Sequence, residues 1–150
     1  MDQARTNELL GTLARGHHGL LARHAATEAG VSHSALTRRV RSGLLEQVAP
    51  AVYRWSGSPV TWDQRALLAC WTAGPGALLS HRAAALRWGL DGVGAAPFEV
   101  LTDRWTRRGT GSALVHEAHD IITADRSVVG PTPITSPLRT VLDLAAVIAS

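Results

Sequence analysis

Residues 24–43 read HAATEAGVSHSALTRRVRSG: two short helical stretches separated by one glycine and closed by another. Gly30 can take a positive φ without steric cost, so it ends the first helix and turns the chain. Ser32 then offers a hydroxyl to the unpaired N–H groups of a second helix, which stops at Gly43. The spacing predicts helices over about 22–29 and 32–42. Two helices joined by a short glycine-containing turn make a helix-turn-helix. Ala26 allows the helices to approach closely, and Val31, Leu36 and Val40 form the inward stripe. Ser34, Thr37, Arg38 and Arg41 then share the opposite face at i, i+3, i+4 and i+7. Two short hydroxyls and two guanidiniums on one face suit nucleic-acid bases and phosphates.

The charge distribution points to the same segment. Residues 33–55 hold four arginines against one acid, while the stretches before and after are each neutral, so the chain's whole net charge of +3 sits there. A basic patch confined to one segment is the electrostatic footprint of a nucleic-acid reader. Residues 45–48 and 52–55 read as two strands around Ala49-Pro50-Ala51, a wing directly after the recognition helix. Arg54 could reach a phosphate from that wing, whereas Tyr53 and Trp55 alternate with it and should pack inward. The expected DNA-contacting set is therefore Ser32, His33, Ser34, Thr37, Arg38, Arg39, Arg41 and Arg54. Within it, Arg39 borders the apolar stripe and could instead pair with Glu46 or lie along the core.

Upstream, Leu9, Leu10 and Leu13 recur at helical spacing, with Thr6 as N-cap and Gly16 as stop. The polar, proline-containing residues 56–61 read as a joint. They divide the chain into a winged helix-turn-helix over 1–57 and a small mixed α/β domain over 58–150, an α+β class overall. In the second domain, helices are expected over 62–73, 80–90 (capped by Ser80) and 136–149, the last with Ser136 as N-cap and Pro137 at its first position. Residues 98–102 and 113–119 alternate like strands, joined by the Arg- and Gly-rich DRWTRRGTGS. That loop reads either as a second phosphate-binding element or as a hairpin loop with solvated arginines; Trp105 within it could mark a protein contact.

Several classes are set aside by composition. All fifteen basic residues of the 150 are arginine, so chemistry that needs a lysine, such as a phosphate-binding Gly-Lys loop or a Schiff base, has no residue to carry it. Cys70 is the single cysteine, so no disulfide forms within the chain, which suits a reducing compartment. No apolar run approaches the roughly 20 residues of a membrane span, and the N-terminus carries no signal-peptide pattern. A cytoplasmic protein is expected. His116, His119 and Asp120 lie close in sequence, but on a strand 116 and 119 point to opposite faces, so no metal site is expected. Ser80 stands beside His81, yet neighbours on a helix diverge by about 100°, so neither is expected to activate the other. The acids Asp103, Glu117, Asp120 and Asp125 form no evident acid–base pair. Neither catalysis nor a cofactor is expected.

The order of the helix-turn-helix, VRSGLLEQVAPAVYR, LSHRAAALRWGL and ITSPLRTVLDLA resembles the AbiEi-type antitoxin and transcriptional-regulator family over about residues 9–148. The resemblance implies a winged-helix domain binding double-stranded DNA and a second domain used for regulation or partner contact. It further implies repression of the protein's own promoter and neutralisation of a nucleotidyltransferase-type toxin. A homodimer would suit paired half-sites, and no membrane is involved. Two positions depart from the family: Ala51 stands in the wing turn where glycine is usual, and Glu46 where a basic residue is common. The chain also ends at Ser150 directly after an apolar helix, as a short protein or as one followed by an endonuclease-like domain in some relatives. The competing reading is a protein-binding module without specific DNA binding.

Overall fold

The computed structural model describes residues 2–93, 97–104, 111 and 113–149. The chain divides into two compact units, Met1–Gln64 and Arg65–Ser150.

The first unit begins with α1 (Gln3–Arg15), capped by Asp2, whose carboxylate accepts from Arg5 N at 2.8 Å. Thr6 is not the cap expected from the sequence. It lies within the first turns, its hydroxyl donating to Asp2 O, because Asp2 already satisfies the helix start. Next come β1 (Leu20–Ala22), α2 (Arg23–Glu28) and α3 (His33–Arg41). The antiparallel wing follows, β2 (Leu45–Ala49) and β3 (Val52–Trp55), and β1 pairs with the other edge of β3 to give the order β1-β3-β2. Leu10, Leu21, Ala26, Val31, Leu36, Leu45 and Tyr53 share one core, so the apolar stripes of all three helices meet the inner face of this small sheet. This arrangement fits a winged helix-turn-helix. The wing turn holds Ala51 at φ +60, a left-handed conformation that costs a non-glycine residue about 1–2 kcal/mol.

The division between units falls in the first turn of α4 (Trp62–Ala73). The second unit is a mixed five-stranded sheet in the order β6-β5-β4-β8-β7, built from β4 (Leu78–Leu79), β5 (Glu99–Thr102), β6 (Leu114–Glu117), β7 (Arg126–Val129) and β8 (Thr132–Thr135). Helix α5 (His81–Trp88) packs against α6 (Pro137–Ile148). Ser136 caps α6 by accepting from Arg139 N, and Thr140 anchors it to β8 through a 2.7 Å contact between its hydroxyl and that of Thr135. One sequence expectation fails here. Strands β5 and β6 pair in parallel rather than as a hairpin. Most of the chain between them, including Trp105, Arg107 and Arg108, lies outside the described residues. Among the described residues no helix is long and apolar enough to cross a membrane.

Cys70 is buried on α4, and that burial pushes its thiol pKa up to about 12. The thiolate is the reactive species, so Cys70 should resist iodoacetamide in mildly alkaline native buffer and react once the protein is denatured. Labelling of the native protein at the denatured rate would contradict this placement.

Candidate nucleic-acid interface

The turn between α2 and α3 is closed by two backbone bonds, Gly30 N to Thr27 O at 2.9 Å and Val31 N to Ala26 O at 2.9 Å. This paired pattern, with Gly30 at φ +90, terminates a helix and fixes the direction in which the chain leaves it. Ser32 then caps α3 by accepting from Ala35 N at 3.2 Å. At the far end, Gly43 N and Leu44 N bond back to Val40 O and Arg39 O. Both ends of the helix are thus set by local chemistry.

Ser32, His33, Ser34, Arg38 and Arg41 are exposed, and Thr37 is half-buried on the same side. Among the described residues Arg38 and Arg41 have no hydrogen-bond or ion-pair partner, so their guanidiniums carry their donors free to an incoming ligand. The Ser32 and Ser34 hydroxyls lie 3.1 Å apart, and Thr37 donates to His33 O, leaving its oxygen as an acceptor. A concavity of about 550 Å³ opens beside this helix, lined by Gln3, Thr6 and Gly30 and edged by Ser32, Arg38 and Ser42.

Two arginines of the expected set are placed differently. Arg39 is buried at 5% exposure. Its guanidinium donates to Asn7 Oδ1 at 2.7 Å, to Ala35 O at 2.8 Å and to Gln3 O at 3.4 Å. It ties α3 to α1 and is no part of the exposed face. Burial, with the neighbouring Arg38 charge, lowers its pKa from the usual arginine value. Arg39→Ala would strip these charge-assisted bonds and leave Asn7 without its donor, at a cost of about 2–3 kcal/mol. Urea denaturation of the first unit should register that loss, and an unchanged midpoint would show the contact to be dispensable. Arg54 pairs with Glu46 across the wing and donates to Ser58 O at 3.1 Å. Its side chain is only 18% exposed, so it braces the wing rather than reaching outward.

The second unit holds a polar cluster that sequence spacing missed. Ser80 continues the β4 ladder through its N–H to Glu99 O at 2.8 Å. His81 follows at φ +50, a left-handed backbone, so the helical 100° rule does not govern this pair. Contrary to expectation, Ser80 Oγ and His81 Nδ1 are hydrogen-bonded at 2.9 Å. Parallel pairing sets Leu101 opposite His116, which brings His116 Nε2 to 2.8 Å from Glu99 Oε2 on the same face. The rings of His81 and His116 stack with centroids 3.8 Å apart. Burial first, and then the proximity of His116, lowers the His81 pKa. Ser80 is fully buried, so its contact with His81 does not make it an accessible nucleophile.

In class, then, the first unit fits a winged helix-turn-helix whose helix α3 exposes two arginines without partners among the described residues. Residues 8–54 match the family model described as transcriptional regulator, AbiEi antitoxin, the family that the sequence resembles. The match spans α3 and the wing and ends at Arg54. No curated protein matches the chain.

Proposed function

We propose that the protein is a sequence-specific DNA-binding regulator of the antitoxin kind, repressing its own promoter and acting in the cytoplasm without catalysis of its own. The reading is carried by one observation: α3 presents Arg38 and Arg41 beside Ser34 and Thr37, without partners among the described residues, on the helix that helix-turn-helix proteins place in the major groove. The two arginines would contact guanine edges or phosphates. Ser32, His33 and Ser34 stand at the N-terminal end of the same helix, where backbone N–H groups favour phosphate.

The second unit would hold the partner, in the resemblance a nucleotidyltransferase-type toxin. One observation favours a protein contact there. Leu138, Val141, Leu142 and Ile148 of α6 are each at least half exposed, up to 74% for Ile148. They recur at helical spacing, and such an apolar stripe commonly marks a docking surface.

Fluorescence anisotropy tests the DNA reading, using a duplex from the gene's own upstream region and a scrambled duplex across a salt series. The upstream duplex should bind at least about 1,000-fold more tightly. Equal, salt-labile binding to both would overturn specific recognition and leave the second unit as the functional part.

A further inference from the structure

We propose that His81, Glu99 and His116 form a binding site for a divalent transition-metal ion, with zinc as the fitting case, in the second unit. One ligand atom from each residue lies within 4.8 Å of the other two. The ligands of a tetrahedral zinc with bonds of about 2.0–2.1 Å sit roughly 3.4 Å apart, so the set closes when the two imidazoles, stacked with planes 21° apart, turn until their in-plane lone pairs converge on the ion. Two imidazoles and one carboxylate are a zinc donor set that leaves a fourth position for water or an outside ligand.

The surroundings have the features such a site needs. A ligating histidine normally engages its second ring nitrogen with another polar group, which fixes the tautomer and aims the first. Ser80 does this for His81 at Nδ1, leaving Nε2 as the coordinating atom. Glu99 is oriented from behind: Arg82 N–H donates to its Oε1 at 3.3 Å, and the Arg82 guanidinium stands 3.5 Å away. Its other oxygen, Oε2, is the one turned to His116.

Charge balance gives a separate argument. Glu99 is 1% exposed, and a buried carboxylate needs a compensating cation. Arg82 supplies one only at the long 3.5 Å distance, from a side chain that is 39% exposed. A bound dication answers that requirement. His81 also holds its left-handed backbone within this cluster, and strain of this kind concentrates at sites that use it. The ligands come from three segments, the start of α5, β5 and β6, so the ion would fasten one side of the sheet.

The test uses the full chain, stripped with chelator, given one equivalent of zinc sulfate, desalted, and assayed by elemental analysis. About one zinc per chain should be retained, with a higher unfolding midpoint than the stripped protein. Glu99→Gln and His116→Asn should each abolish retention, whereas a variant lacking the surface histidines His24, His33 and His119 should keep it. Zinc-edge X-ray absorption on the loaded wild type guards against variants that fail to fold, and should show scattering from two imidazoles. Failure of the wild type to retain zinc would overturn the proposal. So would retention in folded Glu99→Gln and His116→Asn variants, loss on removing the surface histidines, or a zinc shell without imidazole.

Discussion

Arg38→Ala combined with Arg41→Ala should weaken binding to the upstream duplex by at least about thirtyfold, because each bidentate arginine–guanine contact contributes about 1–3 kcal/mol. Folding should be unaffected to within about 0.5 kcal/mol, since both side chains are exposed and make no bonds among the described residues. The salt dependence separates two ways in which the arginines could act. If both contact phosphates, affinity for the upstream and scrambled duplexes should fall together, and the slope of log K against log salt should lose about one unit per arginine. If they read base edges, the upstream duplex loses affinity while the scrambled one barely changes. Arg39→Ala is the control with the opposite signature: its effect on DNA should follow its effect on unfolding, because the side chain lies between α1 and α3. Unchanged affinity in the double variant would remove α3 as the reader, whatever the rest of the fold resembles.

What could be read from the sequence was mostly what local chemistry decides. Ser32, Gly30 and Gly43 set the ends of α3 and its turn through bonds that reach at most five residues. Ser136 and Pro137 did the same for α6, and α4 occupies the residues its pattern predicted. The wing was legible because a short apolar alternation follows α3 directly. Pairings across long separations were not legible. For Arg39 the sequence left DNA contact, a pair with Glu46 and a place along the core all open, and its bonds to Asn7 and Gln3, 32 and 36 residues away, put it between the helices. Alternation in 98–102 gave a strand but not its direction; all four residues of β5 are buried, and its partner β6 runs parallel. The His81–Glu99–His116 cluster follows from that pairing together with the turn into α5. No spacing within the sequence could have assembled it.

Arg139→Ala should destabilise the second unit by about 3 kcal/mol, the lower end of the cost of removing one partner from a buried ion pair. The guanidinium is 10% exposed and gathers three carboxylates: Asp143 at 2.9 Å one turn along α6, Asp125 at 3.2 Å and Asp120 at 3.1 Å. Burial alone would lower its pKa, but the bonds to Asp120 and Asp143 outweigh that and raise it. Alanine would leave Asp125 and Asp143, 18% and 12% exposed, without the cation that balances them. Asp143 Oδ2 already lacks a partner among the described residues. For a unit of this size the unfolding midpoint should fall by about 12–24 °C. Arg139→Lys keeps the charge but not the planar fork that reaches several carboxylates at once, so it should fall between wild type and alanine. Acid provides an independent check. Hydrogen bonding to Arg139 holds the Asp120 carboxyl below its ordinary range. Its contribution is therefore complete above the unfolded aspartate value of about 3.9 and is lost as pH falls through the lower folded value. The gap in stability between wild type and Arg139→Ala should narrow across that acid window. A gap that stayed constant down to the acid limit would mean that Arg139 acts through the packing of its stem against α6 and not through its charge.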